Sequence, residues 1–366
     1  MQTITSHKQP PGGGFLQARP HFHVLDGLRG VAALGVVLFH FMEVVFTDYS
    51  KNFIGHGFLA VDFFFCLSGF VMGYAYDNRL DKMGLRSFFI ARLIRLHPLV
   101  VMGSVLGLLG FLFDPFGGQP ELYSLPKLAL LFLTSVLLIP FGVMEDRFFN
   151  LFGLNAPAWS LFWEYVANIF YAFVLYRLAR RYLLAVTIAG AVLVCLVANR
   201  AGSLLGGWAA DNFWDGGARI CYSFMAGLLV YRSNWIIKSK LGFASLAVLL
   251  AAALLFPYTA WNWLTEPLIV LLYFPFLIAL GAGAVLTERT KTWCIFSGNI
   301  SYPLYMTHYA GIWLFAHYYN TYQPGNAQLV LIVTAGMLLL LGMAYAAMKL
   351  YDIPVRKYLT AKRKNI

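Results

Sequence analysis

A close succession of apolar stretches constrains this chain more than any other feature. They can be drawn at 24–46, 57–76, 90–113, 127–143, 157–176, 183–199, 217–232, 241–256, 266–287, 300–319 and 327–349. A hydrocarbon core of about 30 Å is crossed by about 20 helical residues, so most of these runs are long enough to span it. Within lipid every backbone N–H and C=O must be bonded inside its own segment, which leaves an all-α polytopic membrane protein as the expected fold class. Composition agrees: 60% of the 366 residues are hydrophobic, 12% are charged, and the mean hydropathy is +0.68. The first 22 residues are polar, with the loose Pro10-Pro-Gly-Gly-Gly14 stretch, and read as a disordered cytoplasmic tail. They lack a cleavage pattern, so the run from Val24 is expected to be retained as a true span.

The net charge of +11 reads as a topology signal rather than as an affinity for nucleic acid. If all eleven runs crossed, Arg177-Leu-Ala-Arg-Arg181 would face the side opposite Arg79, Lys82, Arg86, Arg92 and Arg95, against the positive-inside tendency. The segment 127–143 is short, follows a proline and contains Pro140. Treating it as re-entrant or interfacial leaves about ten transmembrane helices with both termini cytoplasmic. Of the 27 Lys and Arg residues, only Lys51, Lys127, Arg147, Arg200 and Arg219 then fall outside. Residues 23–350 form one transmembrane domain. Residues 351–366, ending Lys362-Arg-Lys-Asn-Ile366, form a basic cytoplasmic tail expected to lie against anionic headgroups. Cys66, Cys195, Cys221 and Cys294 stand singly without metal-type spacing; they read as apolar filler, and no metal is expected.

Polar residues inside the spans mark the candidate site, because they are costly in hydrocarbon unless they face a protein interior or a wet cavity. Arg29 and His40 are eleven positions apart on the first span, within about 20° of one face and roughly 16 Å apart along the axis. Asp26 can pair with Arg29, and Glu43 stands one turn beyond His40, either holding the ring or simply solvated at the helix end. Asp62, near the outer end of the second span, is expected at the depth of His40, where it would orient the imidazole; the bland alternative is a structural carboxylate. Arg92 and Arg95 share a face at the cytoplasmic entrance of the third span, where planar forks suit phosphates, although anchoring arginines also collect there. Glu164 is expected about two turns below the outer surface. Tyr302, Tyr305 and His308 recur every three residues in a span expected to open at Ser301 from the cytoplasmic side.

Together these segments resemble the acyltransferase 3 family of integral-membrane acyltransferases over about residues 22–350. The marks are Leu25-Asp-Gly-Leu-Arg-Gly30 followed by His40, Val61-Asp-Phe-Phe-Phe-Cys-Leu-Ser-Gly-Phe70, the Arg92, Arg95 and Pro98 entrance, Trp159-Ser-Leu161 with Glu164, and Tyr302 through His308. Many members carry a second acid after the glutamate matching Glu164, where this chain has Tyr165. With no hydrolase-like domain appended, the chain looks like the stand-alone form.

The resemblance implies transfer of an acyl group, commonly acetyl, from cytoplasmic acyl-CoA to a hydroxyl of an extracytoplasmic or lipid-linked carbohydrate, in a bacterial inner membrane. Acyl transfer needs a base, a cradle for the donor's phosphates and donors toward the developing oxyanion. His40 is the expected base or transient acyl carrier, with Asp62 and Glu164 as further catalytic candidates. Arg29, Arg92, Arg95, Tyr305 and His308 are the expected acyl-CoA contacts, and Glu164 is expected to hold acceptor hydroxyls. Membrane lipids are further partners, and a homo-oligomer is compatible with the sequence. The same polar residues would also serve a transporter or channel for an organic anion, the alternative from another functional class.

Overall fold

A computed structural model describes residues 21–364; residues 1–20, which hold most of the expected N-terminal tail, lie outside the described residues. The described chain is helical and contains no strand. Helix α1 (His23–Val45) is followed by α2 (Ala60–Tyr76), the single turn α3 (Leu80–Met83) and the long α4 (Leu85–Leu112). Then come α5 (Leu125–Val136), α6 (Ala158–Phe173), α7 (Arg180–Ala201), α8 (Phe213–Arg232) and α9 (Phe243–Leu254). Helix α10 (Asn262–Leu268) passes through a π turn, Ile269–Tyr273, into α11 (Phe274–Gly283). Helix α12 (Glu288–Thr307) meets α13 (Tyr309–Tyr322) at His308, and α14 (Asn326–Ala346) runs through a second π turn into α15 (Ile353–Lys364).

Six helical stretches among the described residues are long and apolar enough to cross a bilayer: His23–Val45, Gly57–Tyr76, Leu85–Leu112, Arg180–Ala201, Asn262–Gly283 and Asn326–Arg363. The other apolar runs form helices that are shorter, broken or interrupted by charge. Helix α5, inside the segment expected to be re-entrant or interfacial, has 12 residues, a rise of about 18 Å. It stops at Val136, and Leu138 then takes a left-handed φ of 54°. Helix α8 is long enough but carries Asp215, Arg219 and Arg232.

One feature differs from the sequence expectation. The helix expected to open at Ser301 begins at Glu288, where the Thr287 side chain accepts from Thr290 N. Its first turns are polar and carry no apolar signal, so Tyr302–His308 lie at the end of α12 rather than at a mouth. The expected C-terminal tail, as far as it is described, continues the preceding helix, with Arg356 donating to Asp352 at 3.1 Å.

Small residues bring the central helices together. A Cβ on Gly69 would overlap Phe224 O, and one on Gly227 would overlap Cys66 O, so α2 and α8 meet backbone to backbone. Lipid tails are as apolar as leucine, so helices in a membrane gain mainly from this kind of close fit. Gly27 and Gly30 of α1 make room for the side chains of Cys294 and Ser297 of α12. These contacts hold α1, α2 and α12 around one interior.

Candidate functional site

Arg29 and His40 open onto two cavities stacked along α1. The smaller, about 130 Å³, is lined by Arg29, Ser68, Arg92, Arg95, Glu164 and Tyr302. The larger, about 380 Å³, is lined by His40, Glu43, Tyr49, Arg147, Tyr309 and Trp313 among others. Val61 and Tyr305 line both, so the cavities meet at that level. The shared stripe read from the eleven-residue spacing thus runs along the interior.

In the smaller cavity, Arg29 is clamped. Its Nε donates to Ser301 Oγ at 2.9 Å and its Nη2 to Gly298 O at 2.6 Å, while Asp26 Oδ1 lies 3.4 Å from Nη2. Arg92 Nη2 donates to Glu164 Oε1 at 2.8 Å, and Ser68 Oγ donates to the same oxygen at 3.1 Å. Glu164 lies six residues into α6, about 9 Å below its start and so near the expected two turns, but it faces Arg92 in the smaller cavity rather than the larger chamber. Arg92 Nε is buried without a partner, and the exposed Arg95 side chain has no hydrogen-bond or ion-pair partner among the described residues. Free guanidinium donors beside a cavity suit phosphate oxygens. Tyr302 is otherwise engaged: its hydroxyl donates to Leu96 O at 2.6 Å and ties α12 to α4.

In the larger chamber, His40 Nδ1 lies 2.5 Å from Glu43 Oε1. Tyr49 OH donates to Glu43 Oε2 at 3.3 Å. A carboxylate at Nδ1 favours the proton there and leaves Nε2 as the basic nitrogen. The His308 ring stacks on His40 with centroids 5.4 Å apart and planes 25° apart. His308 Nδ1 donates to Leu304 O at 3.0 Å, and its Nε2 is buried without a partner. Tyr305 OH lies 2.7 Å from Ser160 Oγ, which in turn donates to Pro157 O at 2.9 Å.

Asp62 does not orient His40. It is fully buried and taken up by Arg219, whose Nε reaches Oδ1 at 3.1 Å and whose Nη2 reaches Oδ2 at 2.6 Å. Arg219 also donates to Gly206 O at 2.8 Å and to Phe58 O at 3.3 Å. Arg219 is 1% exposed in α8, and a buried guanidinium draws in the nearest buried carboxylate. Its position inside the apolar run 217–232 was the available signal. A second buried pair joins the loop before α2 to α10: His56 Nε2 lies 3.3 Å from Glu266 Oε1, and Glu266 Oε2 accepts from Leu204 N at 2.5 Å. Among the described residues, one trio of potential metal ligands stands close together: His21, His23 and Asp26, with ligand atoms within 4.8 Å of one another. Asp26 is fourteen positions from His40 on α1, about 21 Å along the axis.

The sequence family described as "Acyltransferase domain" matches residues 22–348. A Rhizobium radiobacter protein named "Protein 2 in picA locus" is 37% identical over 160 residues, covering 41% of this chain and 81% of that protein. A Staphylococcus aureus (strain COL) protein provisionally named an O-acetyltransferase is 38% identical over 81 residues, covering 21% of this chain. That match spans 12% of the staphylococcal protein's length. No solved structure matches.

Proposed function

The chain belongs to the acyltransferase 3 family and is an integral membrane acyltransferase, and on that premise we propose that it moves an acetyl group from cytoplasmic acyl-CoA to a hydroxyl of an extracytoplasmic or lipid-linked carbohydrate. The observation that carries this reading is the pair of cavities meeting at Val61 and Tyr305, one bearing arginine forks and the other a carboxylate-held histidine. At about 130 Å³ the arginine cavity is below the roughly 300 Å³ of an ordinary small-molecule pocket. It suits the slender arm of the donor, with the nucleotide lying outside against Arg95. Arg29 and Arg92 bind phosphate oxygens, and Glu164 with Ser68 sets the direction of the Arg92 fork. Tyr305 stands where the thioester passes between the cavities.

His40 Nε2 takes the proton of the acceptor hydroxyl as its oxygen attacks the thioester carbonyl carbon. The tetrahedral oxyanion collapses, the carbon–sulfur bond breaks, and the departing thiolate recovers the proton from His40. Glu43 steadies the imidazolium that forms in between. His308, stacked on His40, limits the ring's freedom and supplies a second imidazole face beside the reacting carbonyl. In this reading the membrane is a bacterial inner membrane, and the charge bias supports a cytoplasmic side for both termini and the arginine cavity.

Purified protein in proteoliposomes, given acetyl-CoA on the cytoplasmic face and a glycoside acceptor on the other, tests this. An acetyl ester on the glycoside, with CoA retained on its original face, is the expected result. Movement of intact CoA without ester formation would favour the organic-anion transporter instead.

A further inference from the structure

One guanidinium in the larger chamber has no part in the reaction described. Arg147 lies on the loop between α5 and α6, is 3% exposed, and lines the cavity. Its carbon Cζ sits 4.0 Å from the centroid of the Trp313 ring and 5.3 Å from that of Phe111. None of its side-chain N–H groups has a hydrogen-bond acceptor among the described residues, and Nε is completely buried in that condition. The nearest carboxylate is Asp146 at 3.6 Å, which itself accepts from the Tyr123 hydroxyl. Burial pushes the Arg147 guanidinium down to about 10, with Asp146 opposing, so it stays charged at neutral pH. The indole Nε1 of Trp313 is likewise buried without a partner.

The backbone is arranged to keep Arg147 turned inward. Phe148 and Phe149 both take left-handed φ angles, 55° and 52°, which cost non-glycine residues energy and persist where the surroundings over-determine them. Leu151 N donates to Trp208 O and Phe141 N to Leu151 O, which clips the loop against its neighbours. The other charges facing the chamber are already satisfied. Arg219 is neutralised by Asp62, and Glu43 is held by His40 and Tyr49. A buried cation with unused donors costs stability unless a ligand completes it.

We propose that the chamber selects an acceptor sugar bearing an oxyanion, a carboxylate or a phosphate, and that Arg147 is the residue that recognises it. The proposal rests on the carbohydrate reading of the chamber. Arg147, held over the Trp313 ring, takes the anionic substituent, and a hydroxyl of the same sugar is left toward His40 on the chamber wall that Tyr309 also lines. A neutral sugar would leave the guanidinium N–H donors without an acceptor, with only the ion pair to Asp146 at 3.6 Å.

Protein in nanodiscs is titrated by calorimetry, with and without saturating CoA, using p-nitrophenyl β-D-glucuronide, p-nitrophenyl β-D-glucoside 6-phosphate and the uncharged p-nitrophenyl β-D-glucoside. At least one charged glycoside should bind about tenfold or more tightly than the neutral one, the scale of one charge-assisted hydrogen bond, and which one does so separates carboxylate from phosphate. Arg147→Gln should abolish that advantage while still binding the neutral glycoside, and Arg147→Lys should restore part of it. Equal affinity for all three in the wild type, or a charge advantage that survives Arg147→Gln, overturns the proposal. Failure of every glycoside to bind overturns it together with the carbohydrate reading. Loss of CoA binding alone, with the charge advantage intact, strikes only the donor assignment and supports the anion site.

Discussion

At the scale of single residues, two histidines and two arginines separate turnover from binding. His40→Gln preserves volume and polarity but removes the proton carrier, so acyl transfer should fall by about 10²–10⁴-fold. CoA binding, measured by calorimetry on the same sample, should stay close to wild type because Arg29 and Arg95 are untouched. Near-normal turnover would pass the role of base to His308. Arg95→Lys keeps the charge but loses the planar fork, and CoA should then bind more weakly while the fold is retained. Wild-type CoA affinity in that variant would reduce Arg95 to a topology anchor. Asp62 should behave differently from all of these. With Arg219 left buried and unpaired, Asp62→Asn is expected to lose about 3–5 kcal/mol of stability, and pairing it with Arg219→Gln should recover most of that. Thermal unfolding of the two single variants and the double variant measures the coupling. A stable but inactive Asp62→Asn would instead return Asp62 to the catalytic group.

At the scale of elements, breaks and close approaches place the chemistry. His308 sits where α12 hands over to α13, with its backbone still helical at φ −71° and ψ −29°. The handover positions its ring to stack on His40 of α1, while Tyr305, one turn earlier, lines both cavities. The contact between α2 and α8 fixes the opposite wall. Gly227→Val should prevent folding, because its side chain would have to occupy the Cys66 backbone. Gly242→Val is the matched control, since a Cβ there meets nothing within 4 Å. Size-exclusion profiles of detergent extracts should show aggregate or loss of protein for the first and a normal peak for the second. A normal peak for Gly227→Val would mean that the helices can separate without loss of the fold.

At the scale of the whole molecule, orientation in the bilayer decides which cavity meets which substrate. In the proposed orientation the loop around Leu122, which follows α4, faces outside, and an α5 too short to cross leaves Arg181 inside, in line with the charge bias. Both positions are exposed. In a background lacking the four native cysteines, a membrane-impermeant maleimide applied to intact cells should label Leu122→Cys and spare Arg181→Cys. Labelling at 181 from outside would overturn the orientation and, with it, delivery of the donor to the arginine cavity.

The membrane class, the helical architecture and the shared stripe of Arg29 and His40 along α1 were legible in the one-dimensional pattern, because hydrophobic length and helical periodicity are local properties. The family resemblance also extends over nearly the whole chain, as the match to residues 22–348 bears out. Pairing between distant charges was not legible. Asp62 and Arg219 are 157 positions apart, and nothing local tells Asp62 to choose a guanidinium on α8 over an imidazole on α1. The pairing of Glu164 with Arg92 was likewise not legible, because it depends on how α6 packs against α4. Helix α12 began three turns earlier than its apolar run because a capped polar turn carries no hydropathy signal. Burial of Arg147 was hidden for the same reason: a loop has no periodicity from which a facing direction can be read, and only the folded chain turns that side chain inward.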